Sequence, residues 1–81
     1  MIRVLLFGRL SDIAGWRERP IEAPPRTLSE LRAMLSAEDE RLGEALAAKG
    51  VQAAIDKVIV RTDVALAAGM EVAFLPPMSG G

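Results

Sequence analysis

Two apolar segments of strand length stand near opposite ends of the chain, Ile2 to Phe7 and Glu71 to Leu75. They are its most apolar strand-length runs, and the first carries β-branched Ile2 and Val4. Segments apolar on both faces belong in the middle of a sheet. Placed side by side they must run parallel, because a helix between them in sequence supplies the crossover. That helix announces itself at Thr27-Leu28-Ser29-Glu30, a capping box with Thr27 as N-cap and Glu30 at N3. Leu28, Leu31 and Leu35 recur at helical spacing behind it, which predicts a helix over Leu28 to Ser36 with those leucines on the sheet.

The remaining elements fit around this frame. Gly8 ends the first strand, and Arg9 to Trp16 reads as a short helical turn closed by Gly15, with Ser11 or Asp12 as a weak cap. Arg17 to Glu22 is a second, poorer strand, and Pro20 inside it predicts an edge. Ala37 to Asp39 reads as a polar link. Glu40 to Lys49 then reads as a shorter helix with Leu42 and Leu46 on one face, ended by Gly50. Val51 to Ile55 and Lys57 to Arg61 form two short strands around Asp56, which suggests a turn or a tight hairpin, and Leu66 is an apolar plug in the loop that follows. Helices segregated from strands in this order predict an α+β domain, a mixed sheet with helices packed on one face. That is a β-grasp arrangement, with residues 1–75 as the domain and 76–81 as an extended, flexible Gly-Gly tail.

Composition narrows the chemistry. The chain has 81 residues, about half of them apolar, which suits one small domain with a modest core. It has no Cys and no His, which excludes a disulfide framework, a Cys nucleophile, a His base and a zinc finger. Ten basic and eleven acidic residues leave a net charge of -1, so no basic field is offered to nucleic acid. The apolar runs are short and broken by charge, and the N-terminal run lacks the length of a signal sequence, so the expectation is a cytoplasmic protein without a membrane span. Neither a phosphate-binding glycine loop nor a metal constellation is visible, so no cofactor is expected on this chain.

One face of the sheet poses a question. With Val4, Leu6, Val72 and Phe74 turned toward the helices, the alternate residues Leu5, Phe7, Ala73 and Leu75 lie on the other side, and Ile59 joins them from its own strand. Several large apolar side chains are then uncovered, which marks a partner surface. Leu75 leads directly into Pro76-Pro77-Met78-Ser79-Gly80-Gly81. The two prolines cannot extend a ladder and fix φ, so the tail leaves stiffly. Six extended residues reach at most about 20 Å. Gly80 and Gly81 offer backbone without Cβ, thin enough for a narrow channel. Stiff base, thin tip and terminal carboxylate together suit insertion into another protein's active site. A carboxylate needs activation, commonly as an acyl-adenylate, and that must come from a partner.

The segment Gly69-Met70-Glu71-Val72-Ala73-Phe74-Leu75-Pro76-Pro77-Met78-Ser79-Gly80-Gly81 resembles the C-terminal signature of the molybdopterin synthase small subunits, within the MoaD/ThiS family of ubiquitin-like sulfur carriers. Val4-Leu5-Leu6-Phe7-Gly8-Arg9-Leu10 with Ala14-Gly15, and Ala53-Ala54-Ile55-Asp56, resemble its N-terminus and hairpin. The resemblance implies a ubiquitin-like fold and a chain that acts as the sulfur-donating subunit of a sulfurtransferase without catalytic groups of its own. Gly81, approached through Gly80, would be adenylated by a ubiquitin-activating-like enzyme using ATP, and sulfur from a donor protein would replace AMP to leave a thiocarboxylate. The tail residues Pro76, Pro77, Met78 and Ser79 would then enter the synthase large subunit, in a heterotetramer, and sulfur would pass to cyclic pyranopterin monophosphate to build the molybdopterin dithiolene. Phe7, Ile59 and Leu75 would pack on that subunit. Sister carriers serve thiamine or other pathways, and related protein modifiers are conjugated through the residue matching Gly81. Three positions depart from the family's usual residues: Met70 for Asp, Asp56 for Asn and Leu75 for Phe.

Overall fold

The computed structural model describes residues 1–77, and its elements follow in the order β1 (Ile2–Leu6), α1 (Arg9–Ala14), β2 (Glu18–Ile21), α2 (Leu28–Glu38), α3 (Glu40–Leu46), β3 (Gln52–Ile55), β4 (Val58–Val60) and β5 (Glu71–Leu75). One five-stranded sheet has the order β2-β1-β5-β3-β4. The two apolar end segments are its central parallel pair, with Val4 opposite Val72 and Leu6 opposite Phe74. The other three pairings are antiparallel. Strand β2 is an edge, as Pro20 requires, because a residue without an N–H can sit only where no neighbour needs it.

The core follows from the two periodicities. Ile2, Val4, Leu6, Val72 and Phe74 line the covered face, and Leu28, Leu31, Leu35, Leu42 and Leu46 descend on them from α2 and α3. Leu10 adds α1 to the same cluster. The Arg32 guanidinium lies 5.6 Å from the centre of the fully buried Phe74 ring, so its planar head caps the core from the helix side.

Helix α2 starts where its capping box predicts. The Glu30 amide donates to Thr27 Oγ1 at 3.2 Å. A second cap comes from the loop before β5, where Asp63 accepts from the Ser29 amide and hydroxyl, both at 2.8 Å. Those bonds, the hydroxyl's first, hold the Asp63 carboxyl below its ordinary pKa, because they are made to the charged form.

Three expectations need correction. Helix α3 ends at Leu46, with Ala47 as its C-cap, and does not run on to Lys49 and Gly50. Helix α2 continues through Glu38, and the expected polar link shrinks to Asp39. Asp39 ends α2 through its own amide, and its side chain caps α3 by accepting from the Leu42 amide at 3.1 Å, so one residue serves both helices. At α1, neither Ser11 nor Asp12 is the cap. Gly8 occupies the N-cap with φ 57°, and the Ser11 hydroxyl donates back to the Gly8 carbonyl at 2.8 Å. The cap position exists, but at φ 57° and ψ −136°, with Pro76 Cγ 3.0 Å from where a Cβ would stand, it suits glycine and not a polar side chain.

Between β3 and β4 the chain makes the tight hairpin that is one of the two sequence-based expectations at Asp56. Asp56 and Lys57 both take positive φ, 48° and 72°, and Ile55 pairs with Val58 across them. This two-residue loop has the twist that antiparallel strands need, and it fixes the register of everything in the hairpin. The Asp56 side chain also accepts from the Glu71 amide at 2.9 Å, tying the loop to the start of β5. Met70 packs against the core, and its sulfur accepts from the Ala67 amide at 3.3 Å.

Among the described residues, no helix is long and apolar enough to cross a membrane, and no three His, Cys, Asp or Glu side chains are grouped to hold a metal ion.

Candidate functional site

Side chains paired across a sheet share a face, so the register defines the open side of the molecule. One row runs across all five strands: Glu18, Leu5, Ala73, Ala54 and Ile59. The next row toward the C-terminal end of β5 holds Leu75 beside Gln52. Phe7 follows β1 immediately and is tied to the same level, its amide donating to the Phe74 carbonyl at 3.2 Å. The row on the other side is charged. Arg3 stands opposite Glu71 and bridges Glu71 at 3.0 Å and Glu18 at 3.1 Å.

The open face therefore has two halves. Toward the start of β5 it is a surface ion network, and toward the end of β5 it is apolar. Phe7 is 46% exposed and Ile59 39%, while Leu5 and Leu75 are half-buried and Ala73 and Ala54 nearly buried between them. Two small alanines in the middle with larger side chains around them make a shallow depression. An open cleft of about 530 Å³ adjoins it, lined by Phe7, Gly8, Arg9 and Arg17 among others.

The structure brings Phe7, Leu75 and Ile59 onto one face, as the alternation predicts. Val58 is more exposed still, at 65%, yet its register with Ile55 and Val72 places it on the opposite side, where the helices stop short of the edge strand. Ala54 was not singled out from sequence. Its place in the central row follows from its pairing with Ala73 on β5 and, through the two-residue hairpin, with Ile59 on β4.

Pro76 and Pro77 continue from β5 at the apolar end of this face, half-buried and exposed respectively. Each meets a glycine. A Cβ built on Gly8 would lie 3.0 Å from Pro76 Cγ, and one built on Gly50 would lie 3.0 Å from Pro77 Cβ. Both glycines have positive φ, 57° and 90°. Sequence reading treated Gly8 and Gly50 as element terminators, and no local signal links them to the prolines. The remaining candidate residues, Met78, Ser79, Gly80 and Gly81, lie outside the described residues.

With this geometry in place, comparison with known proteins is informative. The family model described as the ThiS family matches residues 4–81. The molybdopterin synthase sulfur carrier subunit of Escherichia coli strain K12 is 35% identical over 81 residues, with all of both chains covered. A solved complex of subunits 1 and 2 of the molybdopterin-converting factor from Helicobacter pylori contains a chain of similar structure, with TM-score 0.73 and 30% identity over 99% of this chain and 97% of that one. The small archaeal modifier protein 1 of Methanosarcina acetivorans superimposes with TM-score 0.86 over 99% of this chain and 95% of that one. At 21% identity that likeness speaks for the fold, the ubiquitin-like β-grasp.

Proposed function

The chain belongs to the ThiS family, and from that premise we propose that it is the sulfur-carrying small subunit of a molybdopterin synthase. The observation that carries this reading is the 35% identity to a molybdopterin synthase sulfur carrier subunit across the full length of both chains. The apolar half of the open face, next to the base of the tail, supports it, since a carrier must dock and deliver at neighbouring places.

In this reading residues 1–75 are the mount and residues 76–81 the acting segment. The carboxylate of Gly81 attacks the α-phosphorus of ATP on an adenylating partner of the ubiquitin-activating type, and pyrophosphate leaves. A sulfur donor protein then supplies the sulfur that displaces AMP, so that Gly81 carries a thiocarboxylate. The large subunit receives the loaded tail. Sulfur passes to cyclic pyranopterin monophosphate toward the dithiolene, and the carbonyl of Gly81 regains an oxygen from water. This chain's part is positional: Phe7, Ile59 and Leu75 dock, Pro76 and Pro77 hold the tail off the body, and Gly80 keeps it thin. ATP is used by the partner and not held here.

Intact-mass measurement tests the reading. Incubation with the cognate adenylating enzyme, ATP and a sulfur source is expected to exchange one oxygen for one sulfur at Gly81. An unchanged mass beside a competent activating enzyme contradicts it. Isopeptide linkage of Gly81 to lysines of other proteins, without sulfur exchange, would instead assign the chain to the protein modifiers.

A further inference from the structure

The contacts at the base of the tail have a pattern that docking alone does not require. In the sheet order β1-β5-β3, the strand that leads into the tail is flanked by β1 on one side and β3 on the other. Gly8 lies just after β1, and Gly50 lies just before β3. Pro76 rests on the first and Pro77 on the second. Two residues of fixed φ thus sit on two bare backbones, one on each side of the exit. At both places the missing Cβ is what makes room, since 3.0 Å is well inside ordinary carbon–carbon contact.

We infer that Gly8 and Gly50 are positioning residues: together they form a two-point seat for Pro76 and Pro77 that sets the direction in which the chain leaves the sheet. The inference rests on the carrier reading and adds a division of labour to it. The apolar face sets how tightly the partner is held, and the seat sets where the tail points once the partner is held. A side chain added at either glycine pushes one proline away and turns the exit. The proline gives by only a few tenths of an ångström at the base, but a turn there grows along the tail, and about an ångström of misplacement at the reacting end costs up to roughly a hundredfold in a transfer that depends on near-attack geometry.

Two further glycines provide controls. Gly15 and Gly69 also have positive φ, 82° and 86°, but a Cβ at either meets nothing within 4 Å. Alanine there also meets a positive φ and leaves the prolines alone; Gly8, at φ 57° and ψ −136°, strains alanine more than Gly15 does at φ 82° and ψ 13°, so at Gly8 the rescue below carries the distinction.

The experiment uses the full chain, loaded with sulfur by its adenylating enzyme and mixed with the large subunit and cyclic pyranopterin monophosphate. The transfer rate at saturating large subunit and the Kd for that subunit are measured separately, and circular dichroism checks the fold of each variant. Gly8→Ala and Gly50→Ala are expected to lower the saturated transfer rate between about tenfold and a hundredfold with Kd unchanged. Gly15→Ala and Gly69→Ala are expected to keep both. Rescue separates a clash from strain. Pro76→Ala deletes the Cγ that a Cβ at Gly8 would meet and keeps a Cβ at 3.9 Å, an ordinary contact. Gly8→Ala combined with Pro76→Ala is therefore expected to match Pro76→Ala alone. Pro77→Ala retains the Cβ that a Cβ at Gly50 would meet at 3.0 Å, so it is expected not to rescue Gly50→Ala. Should Gly8→Ala fail to fold, Pro76→Gly with Pro77→Gly empties the seat from the other side, and the same fall in saturated rate is expected.

An unchanged rate in folded seat variants overturns the inference. So does a Kd that worsens in step with the rate, or an equal loss in Gly15→Ala. Failure of the unsubstituted chain to take up sulfur is a different result, which overturns the carrier reading itself and the seat's role with it.

Discussion

The covered and open faces of the sheet are made by the same strands, one residue out of phase. On β1 the even residues Ile2, Val4 and Leu6 are buried under helices, while Arg3, half-buried Leu5 and the following Phe7 face outward. The covered face is uniformly apolar because α2 and α3 close over it. The open face is divided, charged at Arg3, Glu18 and Glu71, and apolar at Leu5, Phe7, Leu75 and Ile59. The division matters because the ion network is exposed and contributes only about 0–1 kcal/mol of stability. Its apolar counterpart keeps Phe7 and Ile59 exposed and lies beside the base of the tail. Burial on one side specifies the structure, and incomplete burial on the other is what the proposed docking would use.

Substitutions on the two faces should therefore fail differently. Phe74→Ala removes a fully buried ring from the covered face. It is expected to cost about 3–5 kcal/mol of unfolding free energy, a large part of the roughly 5–15 kcal/mol of a typical domain. Urea titration checks it, and a loss below about 1 kcal/mol would mean that the core is not where the register puts it.

Phe7→Asp changes the open face. Its unfolding midpoint should stay near that of the unsubstituted chain, while the Kd for the large subunit should rise by about 2 kcal/mol or more in free-energy terms. Calorimetric titration reads this directly. Equal effects of Phe7→Asp on stability and binding would erase the contrast between the faces.

The smallest effect belongs to Asp63, which lies on neither face and caps α2 from a loop. Its folded pKa is lowered, so the stability it provides is present above the ordinary carboxylate pKa and is lost as pH falls through the lowered folded value. Asp63→Asn should flatten the acid limb of stability against pH and change neither partner binding nor sulfur uptake. Urea midpoints taken from neutral to acid pH check the sign.

The difference between these regions also explains what the sequence discloses. The central pair β1 and β5, the start of α2 at Thr27, and the edge position of β2 are written in local signals: apolar alternation, a capping box and Pro20. The apolar half of the open face is legible too, since alternation assigns Phe7 and Leu75 once the covered face is chosen. Ile59 is assigned to that face from sequence too, and the register of the tight hairpin, with positive φ at Asp56 and at Lys57, puts it there. Asp39 hid the junction of two helices because one polar residue reads equally well as a link or a cap. The contacts of Gly8 with Pro76, Gly50 with Pro77 and Ser29 with Asp63 join distant parts of the chain, and no periodicity reports them. The candidate site is thus half legible: the apolar face proposed for docking is periodic, and the seat proposed beneath the tail is not.

The central claim is that holding the partner and delivering sulfur are carried by different parts of the chain. The most direct measurement is the affinity of the large subunit for a chain lacking Gly81, taken beside its sulfur uptake. Sulfur uptake abolished with Kd for the large subunit mostly retained is the predicted result. Loss of binding together with uptake would make the tail the principal anchor and contradict the assignment of docking to the face of Phe7, Leu75 and Ile59.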